Sequence, residues 1–98
     1  MASDFIYGAA KGAVDTFTRG AAKDLAPYIR VNAVAPGVID TPFHKKVSTP
    51  EKMAAWAANN PLKRNGEPIH IALAIKMLTE NSFINGEVID VNGGQTMH

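Results

Sequence analysis

The sequence predicts an α/β fold, and three features carry that prediction. Two short apolar runs, residues 29–35 and 87–91, have the β-branched composition typical of strands in a parallel sheet. Helical patterns lie between them, and this order favours a right-handed crossover between parallel strands. Hydrophobic residues make up 46% of the 98 residues, which favours a packed core over disorder. We therefore predict the order α-β-α-α-β in a single incomplete domain over residues 1–98.

The first predicted element is an alanine-rich helix over residues 6–26, because Pro27 cannot continue a helix. At ~100° per residue its apolar side chains form one stripe, which we expect to be buried. Tyr7 lies on this stripe and Lys11 lies ~40° from it, so the pair is expected at the start of the buried face. Three interior glycines either weaken the helix or admit a close neighbour. The stripe contains Ala10, Val14, Phe17, Ala21 and Leu25.

The middle of the chain is predicted to hold a loop and a short helix. The strand 29–35 ends at a turn formed by Pro36 and Gly37. Residues 38–47 are predicted as a loop. Residues 48–51 (Ser-Thr-Pro-Glu) resemble a capping box with proline in the first turn, and open a helix to about Ala58.

The last part of the chain is predicted to be a helix followed by a strand. The helix covers residues 67–79, with Ile71, Ile75 and Leu78 on its apolar face. The strand 87–91 is ended by Asn-Gly-Gly. Because no helical pattern follows that glycine pair, it is not expected to bind phosphate.

Charge and composition argue against several classes of protein. Ten Lys and Arg residues against nine Asp and Glu residues give no basic surface for nucleic acid or an anionic membrane. Cysteine is absent, and the three histidines match no metal-site spacing, so no metal is expected. No apolar run reaches the ~20 residues that span a bilayer, and residues 1–4 do not resemble a secretory signal. These features predict a cytoplasmic protein.

Tyr7 and Lys11 are the first candidates for chemistry. Four residues apart on a helix, their side chains share a face. A phenol has a reference pKa near ~10, and a nearby ammonium lowers that pKa, so that tyrosine can exchange a proton with an alcohol or carbonyl. The alternative is a helical tyrosine and lysine that stand four residues apart by coincidence.

Four blocks of sequence resemble the short-chain dehydrogenase/reductase family. Residues 7–14 (Tyr-Gly-Ala-Ala-Lys-Gly-Ala-Val) are similar to the start of its catalytic helix, and residues 29–37 to the strand and turn that follow. Residues 40–42 (Asp-Thr-Pro) lie where the family has a threonine that contacts the nicotinamide carboxamide. Residues 85–94 resemble its last strand and glycine pair. The resemblance implies the C-terminal portion of a Rossmann-like, doubly wound parallel sheet.

The resemblance also implies a role for individual residues. Tyr7 would be the catalytic acid/base, and Lys11 would lower its pKa and bind the nicotinamide ribose. Pro36 and Gly37 would shape the loop beside the nicotinamide, although they also suffice as a simple turn. The Ile39 backbone and the Thr41 side chain would hold the carboxamide, although Thr41 could instead cap a turn. The implied cofactor is NAD or NADP.

Residues 38–60 would hold the substrate lid, whose variable part begins at residue 42. Its candidates are Phe43, His44, Met53 and Trp56. For His44 the alternative is a solvated loop residue, and for Met53 and Trp56 it is ordinary packing. No polar constellation in the lid identifies a substrate beyond a small carbonyl or alcohol compound.

The sequence also departs from the family pattern. It contains neither the Gly-rich loop of the dinucleotide-binding half nor the family's catalytic serine, and Ser3 is too close to Tyr7 for that role. Ile69 and His70 occupy places where the family tends to have acidic residues, which changes the electrostatics of the helix end. We expect little dinucleotide affinity or activity from these residues alone.

The open sheet edge and exposed helix face implied by this partial match favour a homo-oligomer, with domain swapping as one form. Three functions remain open: an NAD(P)-dependent oxidoreductase segment, a non-enzymatic self-associating remnant, and a pseudo-enzyme that binds a small ligand through the lid.

Overall fold

The computed structural model describes residues 2–95. Along these residues, one helix and one strand are followed by three helices and a second strand. In order, the elements are α1 (Ala2–Leu25), β1 (Ala33–Pro36), α2 (Pro42–Val47), α3 (Pro50–Asn59), α4 (Pro68–Glu80) and β2 (Val88–Val91).

The strands β1 and β2 pair with each other in a two-stranded sheet. The Ala33 N–H donates to the Glu87 carbonyl at 2.9 Å, and the Gly37 N–H donates to the Val91 carbonyl at 2.9 Å. Both partners advance by four residues in the same direction, so the strands are parallel. The predicted α/β class with parallel strands is therefore confirmed.

Two predicted segments have different structures. Residues 38–47 are not all loop, because the last six form α2. The strand predicted over residues 29–35 is observed only from Ala33 onward. Side chains hold the backbone before it, since the Val31 N–H donates to Asn85 Oδ1 and Asn32 Oδ1 accepts from the Glu87 N–H, both at 3.0 Å.

The N-cap of α3 lies one residue later than the capping box over residues 48–51 predicts. Thr49, in extended backbone, is the N-cap, and its Oγ1 accepts from the Lys52 N–H at 3.1 Å. Pro50 then occupies the first turn, where its missing N–H costs nothing. The prediction of Ser48 as the cap was wrong by one position.

The described residues form two compact units, one of residues 2–33 with 78–88 and the other of residues 34–77 with 89–95. In the first unit, Thr18 and Ala22 of α1 are buried, as is Leu78 near the end of α4. The Asn85 side chain donates to the Ala22 carbonyl at 3.3 Å. Because these side chains of α1 are small, the segment that precedes β2 packs closely against the helix.

The face of α1 that contacts the rest of the first unit is not the predicted apolar stripe. The contacting face carries Lys11 and Asp15, which are half-buried, with the buried Thr18 and Ala22. On the stripe, Phe17 is 73% exposed, and Val14 and Leu25 are also exposed. The prediction was wrong because small side chains, rather than large apolar ones, permit this close packing.

The glycines of α1 do not serve as points of close approach within the described residues. No atom lies within 4 Å of a Cβ built at Gly8, Gly12 or Gly20. On α4, Leu78 is buried as predicted, whereas Ile75 is exposed.

Candidate active site

Tyr7 and Lys11 belong to the first unit. The helix α1 is continuous from Ala2 to Leu25, so the two positions lie about one turn apart on it. Lys11 is half-buried on the face that carries Thr18 and Ala22. The Tyr7 side chain lies outside what the structure describes.

The other predicted site residues lie on residues 36–41, which we call the strand-end segment and which belong to the second unit. Pro36 closes β1, and the Gly37 N–H makes the last bond to β2. A Cβ at Gly37 would lie 2.7 Å from the Asn92 Cβ, so only glycine fits here without displacing the chain. Residue 37 therefore brings the segment into contact with the turn after β2.

A parallel bridge between Ile39 and Gly66 fixes the middle of the strand-end segment. The Gly66 N–H donates to the Val38 carbonyl at 2.9 Å, and the Asp40 N–H donates to the Gly66 carbonyl at 2.7 Å. The bridge uses neither the N–H nor the carbonyl of Ile39, and these are the groups that the family resemblance assigns to the nicotinamide carboxamide. Thr41 is half-buried and directly precedes α2.

Sequence reasoning missed the role of Gly66. The signal in the sequence is the Asn-Gly pair at residues 65–66, a dipeptide typical of turns. A Cβ at Gly66 would lie 2.7 Å from Ile39 Cδ1, so a larger residue would displace Ile39. Glycine at residue 66 thus sets the position of the strand-end segment.

A cavity of about 500 Å³ lies between α3 and the strand-end segment, within the second unit. Met53 is the lid candidate that lines it, and Asp40 and Ser48 contribute polar groups. Asn65 Nδ2 donates to the Met53 carbonyl at 2.8 Å, whereas its Oδ1 is buried without a partner among the described residues. The cavity therefore combines an apolar wall with hydrogen-bond acceptors.

Phe43 and Trp56 are not among the described residues that line this cavity. Phe43 is exposed and Trp56 is half-buried. The His44 side chain lies outside the described residues.

Asn60 is a second residue whose importance the sequence did not reveal. It is 5% exposed, its Oδ1 accepts from the Leu62 N–H at 2.8 Å, and its Nδ2 donates to the Asn92 carbonyl at 2.9 Å. In the sequence, Asn59-Asn60-Pro61 indicated only the end of a helix. In the structure, Asn60 ties the end of the lid to the turn after β2.

Comparison with known proteins identifies the family. A sequence model of the family described as "Enoyl-(Acyl carrier protein) reductase" matches residues 1–96. The chain is 42% identical over 94 residues to cyclopentanol dehydrogenase of Comamonas sp. (strain NCIMB 9872), a match that covers 92% of this chain and 38% of that protein.

Solved structures give the same result. A short-chain dehydrogenase/reductase of Brucella melitensis has a TM-score of 0.80 at 44% identity, covering 94% of this chain and 38% of its own. A small-chain dehydrogenase solved in complex with NADPH has a TM-score of 0.79 at 35% identity, covering 93% of this chain and 42% of its own. The chain belongs to the short-chain dehydrogenase/reductase family. It spans somewhat more than a third of the length of these relatives and is part of a Rossmann-like fold.

Two further observations concern the described residues as a whole. Across residues 2–95, none of the helices combines the length and apolar character that crossing a bilayer requires. Over the same residues, no group of three histidine or carboxylate side chains lies close enough together to hold a metal ion.

Proposed function

We propose that the chain is the C-terminal segment of an NAD(P)-dependent oxidoreductase that transfers hydride between a nicotinamide and a carbonyl or secondary alcohol. The observation that carries the proposal is the placement of Tyr7 and Lys11 one turn apart on the continuous helix α1. Membership of a family of oxidoreductases supports it.

In this proposal Tyr7 transfers the proton and Lys11 stabilises the charge that remains on Tyr7. During reduction, the Tyr7 hydroxyl donates its proton to the carbonyl oxygen and becomes a phenolate. The Lys11 ammonium stabilises that phenolate by its opposite charge. In the alcohol-oxidising direction, the phenolate accepts the proton from the hydroxyl group. A nicotinamide, when bound, supplies or accepts the hydride.

The groups that would hold the nicotinamide are those of the strand-end segment together with the catalytic pair. The N–H and carbonyl of Ile39, which take no part in the bridge to Gly66, suit the carboxamide, because it both donates and accepts hydrogen bonds. Thr41 would add its hydroxyl, Pro36 and Gly37 would shape the loop, and Lys11 would bind the ribose. The relative solved with NADPH supports a dinucleotide as the cofactor, either NAD or NADP.

A chimera with cyclopentanol dehydrogenase tests this assignment without requiring the substrate to be known. This chain replaces the matching 94 residues of that enzyme, and cyclopentanol oxidation is followed by nicotinamide absorbance. We expect measurable turnover. Lys11→Met should lower kcat/KM by about tenfold or more, because the phenolate loses its neighbouring charge.

Lys23→Met is the matched control, since Lys23 is an exposed lysine in the last turn of the same helix. Equal activity of the two lysine variants would contradict the role given to Lys11.

The second candidate function is a non-enzymatic domain that associates with itself. The exposed apolar stripe of α1 favours this candidate, because it offers a surface to a second copy of the chain. The chimera separates the two, because the chain alone is expected to bind little dinucleotide. Turnover by the chimera favours the enzyme segment, and a folded chimera without turnover favours the self-associating domain.

A further inference from the structure

The amino end of α4 is closed by a histidine. His70 Nδ1 accepts a hydrogen bond from the Glu67 N–H at 2.8 Å, and the His70 N–H donates to the Glu67 carbonyl at 2.9 Å. The first bond corresponds to one half of a capping box, in which the third helical residue normally contributes a glutamate or glutamine. Glutamate and glutamine both accept at neutral pH, whereas histidine accepts only while one ring nitrogen carries no proton.

The cap lies next to the bridge that fixes the strand-end segment. Gly66, which directly precedes Glu67, bonds to Val38 and Asp40 on either side of Ile39. A Cβ built at Gly66 would lie 2.7 Å from Ile39 and 3.7 Å from His70 Nδ1, so Gly66 lies between these two side chains. All of these contacts lie within the second unit.

We propose that His70 is a positioning residue for the strand-end segment and that it acts only while its ring is neutral. The neutral ring holds the Glu67 N–H, which fixes the peptide next to Gly66 and, through the bridge, Ile39. Protonation of Nδ1 replaces the acceptor with a donor that faces another N–H. This gives a pH dependence to the nicotinamide-binding role of Ile39, and that consequence rests on the proposed function.

The charged groups around the ring are consistent with such a switch. His70 shares a cavity of about 250 Å³ with Arg64, the charged side chain among the other described residues that line it. Glu67 is exposed and contributes its backbone N–H to the cap. A cation at the amino end of a helix is disfavoured by the helix dipole, so a protonated ring would weaken this end of α4 further.

Amide hydrogen exchange measured by NMR on the whole chain tests the proposal without any nucleotide. When the pH is lowered from about 7.5 to about 5.5, protection of the Glu67 and Asp40 amides should fall on the order of fivefold. The Ala33 amide, bonded to Glu87 in the first unit, is the internal reference and should not change in the same way.

Two variants separate the switch from a purely structural role. His70→Gln keeps a hydrogen-bond acceptor at this position, so the Glu67 and Asp40 amides should stay protected at both pH values. His70→Ala removes the acceptor, so both amides should be poorly protected at both pH values. Equal pH dependence in wild type and His70→Gln would overturn the switch. A pH-dependent loss of protection at the Glu67 amide without a loss at the Asp40 amide would overturn the coupling to the strand-end segment.

Failure of the proposed oxidoreductase function would leave these amide measurements unaffected. The two proposals can therefore fail independently.

Discussion

Gly93 and Gly20 lie in different backbone environments, so replacing each glycine with alanine should change stability in opposite directions. Gly93 has a φ of 65°, in the left-handed region, and its Cα faces the buried Asn60 side chain. Gly20 lies in the middle of α1 with open space where a Cβ would be. The sequence alone predicts a turn at the first position and a weak point in a helix at the second.

Gly93→Ala should destabilise the chain. The left-handed conformation costs a residue with a Cβ about 1–2 kcal/mol, and the contact with Asn60 adds to that cost. Urea unfolding should show a lower midpoint for the variant. An unchanged midpoint would show that this turn does not hold Asn60 in place.

Gly20→Ala should have the opposite effect. Alanine in an exposed helix interior is favoured over glycine by about 0.5–1 kcal/mol. The urea midpoint should therefore rise. A lower midpoint would mean that another surface packs against this side of α1.

At the scale of elements, Arg30 holds the end of α4. Its guanidinium donates to the carbonyls of Leu78 at 2.9 Å and Thr79 at 3.1 Å in the last turn of that helix. It also donates to the carbonyls of Asn81 and Ile84 in the segment that follows, at 3.1 and 3.0 Å. The Arg30 side chain thus bonds carbonyls that have no partner within the helix. Its positive charge also interacts favourably with the negative end of the helix dipole.

Arg30→Met should lower the free energy of unfolding by about 1.5–3 kcal/mol, the range for hydrogen bonds to a charged group. Arg19→Met is the control, because Arg19 is exposed on α1. Urea denaturation followed by circular dichroism measures both variants. Equal midpoints would show that solvent replaces these bonds without loss.

The elements also show what the sequence could and could not predict. Periodicity and proline positions were enough for α1, α3, α4 and the parallel strands, because these signals are local, whereas α2 was predicted as loop. The packing face of α1 was mispredicted, since it depends on small residues such as Ala22 meeting residues more than sixty positions away. The roles of Arg30 and His70 were likewise invisible, because each depends on which backbone groups lie beside the side chain after folding.

At the scale of the whole molecule, the apolar stripe of α1 is exposed. Val14, Phe17 and Leu25 lie on it, and all three side chains are exposed. Ala22 and Leu78 are the buried apolar side chains among the described residues, so the core is small.

We therefore expect the chain to associate with itself through the apolar stripe of α1. Sedimentation at micromolar concentration should show a dimer or larger species. Phe17 is a 73% exposed residue on the stripe. Phe17→Glu should weaken association by about tenfold or more, because the burial of one apolar side chain in the interface is lost. Phe83→Glu is the control, because Phe83 is 97% exposed and lies outside α1. A stable monomer would contradict the prediction.

The central claim is that Tyr7 exchanges the proton during hydride transfer, and replacing its hydroxyl tests this most directly. In the chimera with cyclopentanol dehydrogenase, Tyr7→Phe should lower kcat by about 100- to 10,000-fold, the range for loss of a general acid/base. Tyr28→Phe removes the same group from a tyrosine that is 91% exposed, and it should leave kcat unchanged. Equal turnover by the Tyr7→Phe and Tyr28→Phe chimeras would contradict the claim.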